Sequence, residues 1–184
     1  MNATDRAMAR DGLWRRVIGA WVALMLLGVT PLGIAPLWAG ETVRGVPHVI
    51  DGDTIELEGR RLRLQGIDAP ELGQFCWLKG GLYDCGMVAR TALLDLSAGA
   101  QVVCRPLGPG PEAIPLAHCT ADGYDLSEGM TYTGWALADP AQRSTYGRLE
   151  AGARDAVRGL WRGRFVAPWD WRAGARLPEE TQGG

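Results

Sequence analysis

The stretch from residue 49 to residue 71 constrains the fold of this chain more than any other. It begins with Val49-Ile50-Asp51-Gly52-Asp53-Thr54, in which Asp-Gly is a dipeptide typical of tight turns. Residues 54–58 and 61–64 then alternate polar and apolar side chains, as half-buried strands do, and Gly59 permits a tight turn between them. The pattern predicts two adjacent strands, with Asp53 opening the first and Asp68 closing the second.

Strand and helix signals continue to about residue 159. The strand-like segments are residues 43–50, 54–58, 61–64, 101–105 and 114–120. The helical segments are residues 87–96, a helix capped by Asp125 that runs to Trp135, and a helix capped by Ser144 or Thr145 that runs to about Gly159. Residues 76–85 are expected to form a loop, and residues 106–115 a Pro/Gly-rich connector. This order indicates an α+β protein, a five-stranded OB-fold Greek-key barrel with about three helices.

The first 39 residues have the pattern of an export signal. An arginine pair precedes an apolar run at residues 17–29, and Ala39 follows a proline-containing segment, so cleavage is expected near Ala39-Gly40. The alternative is an uncleaved membrane anchor, because residues 17–39 are long enough to span a bilayer. Either case gives an exported, periplasmic or secreted domain that contacts a membrane only through residues 17–39. We expect a signal peptide or anchor at 1–39, a folded domain at 40–172 and a tail at 173–184.

All four cysteines lie in the part expected to be exported, where an even number indicates two disulfides. Four cysteines admit three pairings, of which the local one, Cys76-Cys85 with Cys104-Cys119, is favoured. The second of these would join the ends of a hairpin, and closing a loop of that size stabilises by roughly 3 kcal/mol. A zinc site is disfavoured because no Cys-x-x-Cys spacing occurs and His118 has no second histidine nearby.

The charge distribution argues against tight non-specific binding of DNA. The formal net charge is -2, and residues 1–39 contain four arginines and only two acids, so the remainder is more acidic still. The last third nevertheless carries a cluster of arginines, at positions 143, 148, 154, 158, 162, 164, 172 and 176. Two interpretations stay open for this cluster: a solvated helix face, which we favour, and a phosphate-binding stripe.

The acids between residues 53 and 71 have the chemistry of a cation site. If the two strands pair as a hairpin, Asp53 and Asp68 lie on one rim, and a hard cation such as Ca²⁺ would bind both carboxylates and the carbonyl of Ala69. Glu71 is then placed to polarise a water, and the planar fork of Arg63 suits a phosphate. Each part alone also fits an ordinary turn, strand exit or solvated face. Their order and spacing together indicate hydrolysis of a phosphodiester.

This set of residues resembles the staphylococcal nuclease, or thermonuclease, family. The resemblance is carried by residues 49–54, Arg63 and Ile67-Asp68-Ala69-Pro70-Glu71, and spans about residues 42–172. Gly159-Leu160-Trp161 and Pro168-Trp169-Asp170-Trp171-Arg172 are similar to the end of exported bacterial members. The family has an OB-fold barrel with three helices, and its catalytic members cut DNA and RNA with Ca²⁺.

The resemblance also implies roles for individual residues. Asp53 and Asp68 match the calcium carboxylates, and Ala69 stands where only a carbonyl is needed for the metal. Arg63 matches the first catalytic arginine, and Glu71 matches the proposed general base.

The chain departs from the family in its connector. Catalytic relatives carry a pattern like Asp-Arg/Lys-Tyr-Gly-Arg, where this chain has Gly110-Pro111-Glu112-Ala113-Ile114. The second arginine therefore falls on Ile114, Glu112 would repel a phosphate, and no Lys or Arg occurs from Pro106 to Gln142. Loss of such a cation costs factors of about 10³ to 10⁵ in related phosphoryl chemistry. Arg143 and Arg148 are the candidates for a replacement that folds back over the site.

The expected function is therefore calcium-dependent hydrolysis of nucleic acid, DNA or RNA, by a thermonuclease-like endonuclease weakened at Ile114. An enzyme is favoured over the alternative, a non-catalytic exported OB-fold module that binds oligosaccharide or single-stranded nucleic acid. The sequence indicates no protein partner.

Overall fold

The computed structural model describes residues 40–140 and 143–181. The predicted signal peptide or anchor at residues 1–39 lies outside the described residues. Within the described part, no helix combines the length and the apolar character that crossing a bilayer requires.

Short strands dominate the first two thirds of the described chain, and helices follow them. The strands are β1 Val43–Gly45, β2 His48–Val49, β3 Thr54–Leu57, β4 Arg60–Leu64, β5 Ile67–Asp68, β6 Phe75–Leu78, β7 Gly81–Asp84, β8 Val102–Gly108, β9 Leu116–Ala121, β10 Tyr124–Asp125 and β11 Leu137–Ala138. The helices are α1 Cys85–Ser97, α2 Leu126–Thr133, α3 Arg143–Asp155, α4 Pro168–Arg172 and α5 Pro178–Thr181, with single 3-10 turns at Pro111–Ala113 and Gly159–Arg162.

The main sheet has seven strands in the order β1-β8-β9-β4-β3-β2, with β10 beside β9. Its pairs are antiparallel except β4 with β9. β1 and β2 lie at opposite ends of this order, yet only Val46 and Pro47 separate them in the chain. Because so short a connection spans about 10 Å at most, the sheet must curl until its two ends come together. The predicted α+β class with an OB-type sheet is confirmed.

Three hairpins of this fold share one turn chemistry. Each has a two-residue turn with positive φ at both positions, the type I′ geometry that matches the twist of the flanking strands. The turns are Glu58-Gly59 between β3 and β4, Lys79-Gly80 between β6 and β7, and Asp122-Gly123 between β9 and β10. Glycine occupies the second position each time because it adopts φ > 0 without steric cost.

The core lies between the curled sheet and α1. Side chains alternate between the two faces of each strand, and those on the inner face are fully buried: Ile55 and Leu57 of β3, and Leu62 and Leu64 of β4. From α1, Leu93 is buried in the same cluster. Fully burying each of these side chains contributes about 1.5 to 3 kcal/mol, so this cluster fixes the two strands that carry the predicted site.

A second, smaller cluster forms around the Cys76–Cys85 disulfide, which joins β6 to the start of α1. It buries Leu137 and Leu160, with a partly buried aromatic layer of Tyr83, Trp135, Trp161, Phe165 and Trp169. The aromatic residues near the C-terminus therefore pack on the protein. The other disulfide, Cys104–Cys119, links directly opposed residues of β8 and β9. Both disulfides are the local pairings favoured from the sequence.

Several boundaries differ from the predictions. The segment 43–50 is two strands, interrupted at Val46-Pro47, because proline has no N–H to donate to a ladder. The expected loop at 76–85 contains the β6–β7 hairpin. β8 continues to Gly108 and so shortens the connector. α3 has already begun at Arg143, so neither Ser144 nor Thr145 is its N-cap.

The predicted cap of α2 is present. The side chain of Asp125 accepts hydrogen bonds from the N–H groups of Ser127 and Glu128, and Gly134 ends the helix in the left-handed conformation. The predicted tail at 173–184 packs back in part, since Leu177 is buried and Glu179 forms an ion pair with Arg164.

Candidate functional site

A side-chain-capped turn positions Asp53 at the start of β3. Asp51 Oδ1 accepts hydrogen bonds from the N–H of Asp53 at 2.9 Å and of Thr54 at 2.7 Å. The carbonyl of Asp53 accepts from the N–H of Leu64 at 2.7 Å, and Thr54 is paired with Arg63 across the hairpin. Asp53 and Arg63 therefore meet because β3 and β4 are in this register.

Gly52 allows this turn to lie against α1. A Cβ at position 52 would stand 2.6 Å from the Cβ of Ala69 and 2.8 Å from the Cβ of Ala89, closer than real side chains approach. A larger residue would therefore push Asp53 away from Ala69.

Asp68 does not lie on the strand that carries Arg63, contrary to the hairpin prediction. β4 ends at Leu64, a turn follows at Gln65-Gly66, and Asp68 belongs to β5, which pairs with β11. The alternating pattern continued past Gly66, whose φ of 76° belongs to the turn that ends β4. The rim is shared nonetheless, because Asp53 Oδ2 accepts a hydrogen bond from the N–H of Ala69 at 2.9 Å.

Arg63 bridges the two aspartates. Its Nη2 donates to Asp53 Oδ2 at 3.0 Å and to Asp68 Oδ1 at 2.9 Å. All three side chains are buried, with 4 to 9% of their surface accessible. Among residues 40–140 and 143–181, no acceptor meets Nε or Nη1 of Arg63, and neither atom is sealed from solvent. The arginine therefore holds the acids with one nitrogen and keeps donors for a further anion.

Burial has opposite effects on the two members of the Asp53–Arg63 pair. Burial raises the pKa of Asp53 to about 7, against the opposing effects of the Arg63 charge and the Ala69 N–H. Burial lowers the pKa of Arg63, but the charges of Asp53 and Asp68 outweigh it, so that the pKa lies above its ordinary value. Arg63 is therefore permanently charged, and a further nearby cation would stabilise the ionised form of Asp53.

Arg172 is the site residue that the sequence analysis missed. From the end of α4 it pairs with Asp68 through two nitrogens, Nη1 to Oδ1 at 2.9 Å and Nη2 to Oδ2 at 2.6 Å. Nη1 also donates to Glu71 Oε1 at 2.5 Å. The hydrogen bonds to Asp68 raise the pKa of Arg172 above its ordinary value; burial opposes this shift and Glu71 adds to it. Asp68 thus joins two guanidinium groups.

Glu71 is placed by a turn that Gln74 holds. Gln74 is fully buried; its Oε1 accepts from the Glu71 N–H at 3.2 Å, and its Nε2 donates to the Val166 carbonyl at 2.8 Å. The same side chain therefore connects the Glu71 turn to the segment that leads into α4. Gly86 closes the turn from the other side, since a Cβ there would stand 1.8 Å from the Glu71 carbonyl oxygen.

The four residues predicted from the sequence thus come together with the backbone of Ala69. Asp53, Arg63 and Asp68 are in direct contact, and Glu71 joins them through Arg172. Within the described ranges, no three His, Cys, Asp or Glu side chains form a metal-binding group. Asp53 and Asp68 share Arg63 as a positive partner, and Asp68 and Glu71 share Arg172.

The end of the connector lies beside Arg63. The Arg63 N–H donates to the Pro115 carbonyl at 2.9 Å, and Arg63 is paired with Leu116 of β9. Ile114 directly precedes Pro115, whose carbonyl accepts the hydrogen bond from Arg63, and it is half-buried. His118 lies away from the acids, with its Nδ1 3.7 Å from Asp125.

Several arginines of the last third stack on aromatic rings instead of forming one solvated face. Their guanidinium carbons lie 4.1 to 5.4 Å from ring centroids, within the range of cation–π contact. The pairs are Arg154 with Trp161, Arg158 with Tyr132, Arg164 with Trp77, and Arg176 with Trp171. Of the cluster noted in the sequence, Arg172 is the member whose described contacts are with the acids of the site.

Comparison with known proteins gives the same family as the motif. The chain is 33% identical over 151 residues to the succinoglycan biosynthesis protein ExoI of Rhizobium meliloti (strain 1021), covering 80% of this chain and 76% of that protein. It is 32% identical over 119 residues to the probable staphylococcal-like nuclease CAN2 of Oryza sativa subsp. japonica, covering 63% of this chain and 30% of the plant protein. It is also 27% identical over 147 residues to the probable staphylococcal-like nuclease CAN1 of the same plant, covering 78% of this chain and 41% of the plant protein.

No protein-family model matches the chain. The chain spans most of ExoI but less than half of each plant nuclease. These similarities agree with the fold and with the convergence of Asp53, Arg63 and Asp68, and the chain belongs to the staphylococcal nuclease family.

Proposed function

We propose that this protein is an exported, calcium-dependent phosphodiesterase that hydrolyses nucleic acid, DNA or RNA. The observation that carries the proposal is the convergence of Asp53 and Asp68 on one positively charged nitrogen of Arg63, at 3.0 and 2.9 Å. Probable nuclease activity is what the names of the plant relatives state for those proteins. The proposal extends that activity to this chain.

The donor set suits a hard divalent cation. Asp53 and Asp68 both accept from one positively charged nitrogen of Arg63, and Ala69, the next residue after Asp68, would supply a backbone carbonyl. Carboxylate and carbonyl oxygens with water are the ligands of Ca²⁺. These three residues would hold the ion, which would supply positive charge for the phosphate and for the attacking water.

The other residues would act on the substrate directly. The Nε and Nη1 donors of Arg63 would bind phosphate oxygens, in the planar arrangement that favours guanidinium over ammonium at such sites. Glu71 would accept the proton of the water. Its Oε1 is held by Arg172, and among the described residues its Oε2 has no hydrogen-bond partner.

A second candidate is a non-catalytic module for oligosaccharide or single-stranded nucleic acid. Two observations favour it: the acids are already ion-paired with Arg63 and Arg172, and the segment 106–142 contains no Lys or Arg. In this case the ion pairs serve stability, and the neutral connector serves a ligand that is not a polyphosphate.

Cleavage of single-stranded DNA separates the two candidates. The purified chain is incubated with a labelled oligonucleotide and Ca²⁺, with a chelator, and as the Glu71→Gln variant. Glu56→Gln is the matched control, since Glu56 lies on β3 and its closest cation, Arg61, is 4.0 Å away. Cleavage that needs Ca²⁺ and is lost only in Glu71→Gln supports the enzyme. Binding without cleavage under all conditions supports the module.

Export is part of the same proposal. Two disulfides are typical of proteins in oxidising compartments, and residues 1–39 have the pattern of a signal peptide or anchor. Fractionation of expressing cells tests it. The chain is expected in the periplasm, medium or membrane fraction with its cysteines joined in disulfides, and recovery in the cytoplasm with free thiols would refute export.

A further inference from the structure

We propose that Arg172 is a second phosphate-contacting arginine of this site and, with Arg63, forms a two-guanidinium anion site. The inference rests on the proposed function, because it assigns the residue that would hold the substrate phosphate together with Arg63. It places the second cation at the end of the short helix α4, 104 residues after Asp68 in the chain.

The guanidinium groups of Arg63 and Arg172 lie close together. Arg63 Nη2 and Arg172 Nη1 both donate to the same oxygen, Asp68 Oδ1, at 2.9 Å each. The two nitrogens therefore lie within twice that distance of each other. An anion with several oxygens, such as a phosphodiester, is large enough to accept from both groups at once.

Arg172 has N–H donors left for a ligand. A guanidinium has five N–H donors, and Arg172 uses three of them on Asp68 and Glu71. Within the described part of the chain, its Nε and its remaining Nη2 hydrogen have no acceptor. Arg172 also keeps 32% of its side-chain surface accessible. The group is thus held on one edge by the acids and open to a ligand on the other.

The segment before Arg172 is fixed in place. Trp77 and Arg164 exchange two backbone hydrogen bonds, at 2.8 and 2.9 Å, which attach the segment to β6. Gln74, which also holds the Glu71 turn, donates to the Val166 carbonyl two residues before α4 begins. The guanidinium is therefore presented by a docked helix, which reduces the entropy lost when an anion binds.

Arg172 also adds positive charge to an acidic site. Asp53, Asp68 and Glu71 would repel an approaching phosphodiester, and Arg63 balances only one of these charges. Since residues 106–140 contain no Lys or Arg, the connector next to Arg63 supplies no further cation. Arg172 is the additional positive charge that the structure places in contact with these acids.

The test uses binding in the absence of metal, so that it does not depend on cleavage. A fluorescein-labelled single-stranded oligonucleotide is titrated with the purified chain in EDTA, and anisotropy is followed over a series of salt concentrations. The variants are Arg172→Met, which keeps an apolar stem, and Arg172→Lys, which keeps the charge. Arg176→Ala is the matched control, because Arg176 lies in the same segment but bonds only carbonyls and stacks on Trp171.

We expect Arg172→Met to weaken binding about tenfold or more, as loss of a charge-assisted hydrogen bond does. The slope of log K against log salt should fall by about 0.7 for the one lost contact to a single strand. Arg172→Lys should recover part of the affinity, and Arg176→Ala should change it by about twofold at most. The unfolding midpoint of each variant is measured alongside, so that loss of fold is distinguished from loss of contact.

Three results would overturn the assignment. Equal losses in Arg172→Met and Arg176→Ala would mean that only overall charge matters. Unchanged binding in Arg172→Met with Arg63→Met impaired would leave Arg63 as the phosphate contact and Arg172 as a structural ion pair. Tighter binding or faster cleavage in Arg172→Met would mean that Arg172 blocks the acids.

Failure of the proposed function has a different signature. A wild-type chain that binds the oligonucleotide through Arg172 but does not cleave it with Ca²⁺ would refute the phosphodiesterase and keep the anion site.

Discussion

Replacing Arg63 by alanine should destabilise the protein strongly, although the side chain lies in the candidate site. The variant leaves the Asp53 carboxylate, 4% accessible, with hydrogen bonds from the Ala69 N–H and the Thr54 hydroxyl but without its ion-pair partner. Removing one partner of a buried ion pair costs about 3 to 5 kcal/mol. At about 1.4 kcal/mol per factor of ten, the lower end already reduces the folded-to-unfolded ratio by roughly two orders of magnitude.

The measurement is urea unfolding in EDTA, at pH 5 and at pH 8. Protonation of Asp53 relieves the unpaired charge, so the loss caused by Arg63→Ala should be smaller at pH 5. Arg61→Ala is the control on the same strand: its side chain is 64% accessible and 4.0 Å from Glu56, a geometry worth about 0 to 1 kcal/mol. Adding Ca²⁺ should recover more stability in Arg63→Ala than in Arg61→Ala, because the ion replaces the missing cation. A loss no larger than that of Arg61→Ala, equal at both pH values, would refute the reasoning.

The remaining predictions concern the same site and its supports. Because the pKa of Asp53 rises from 3.8 to about 7 on folding, the proton it binds contributes stability that is complete below pH 3.8 and lost as the pH rises to about 7. The free energy of unfolding, measured in EDTA across this range, should fall by up to about 1.4 kcal/mol per pH unit, and Asp53→Asn should remove this dependence. Equal slopes in the wild type and the variant would contradict the prediction. Gly86→Ala should lower stability by about 1 to 3 kcal/mol and reduce cleavage, since its Cβ would meet the Glu71 carbonyl at 1.8 Å, whereas Gly81→Ala, with no atom within 4 Å, should behave as wild type in both assays. Replacing both Cys104 and Cys119 by serine should cost about 3 kcal/mol in guanidinium unfolding, and an unchanged midpoint would show that the bond constrains little.

The part of the site that was predictable is the part encoded locally. Asp53 and Arg63 lie on two strands joined by a two-residue turn, so alternation and a glycine suffice to bring them together. The position of Asp68 was predicted for the wrong reason: it follows a turn at Gly66 and pairs with Leu137 of β11, and neither is visible in a pattern of alternating residues.

The contact of Arg172 depends on information that no local pattern contains. It requires the segment before α4 to dock on β6, through Arg164, and on Gln74, through Val166, and these partners are distant in the chain. Arg143 and Arg148, the candidates named from the sequence, lie on α3. The β6–β7 hairpin was also not predicted: its type I′ turn begins with Lys79 in place of the usual Asn or Asp, so that only Gly80 at the second position indicated the turn.

The ion pair between Asp68 and Arg172 has a consequence for biosynthesis. Translation releases the acids first and their last cation 104 residues later. Throughout that interval a growing polypeptide has the negative half of this network without the guanidinium that completes it. Assembly of the centre is therefore postponed until α4 has been made, and a chain that stops before α4 lacks one of the two groups assigned to binding a phosphate.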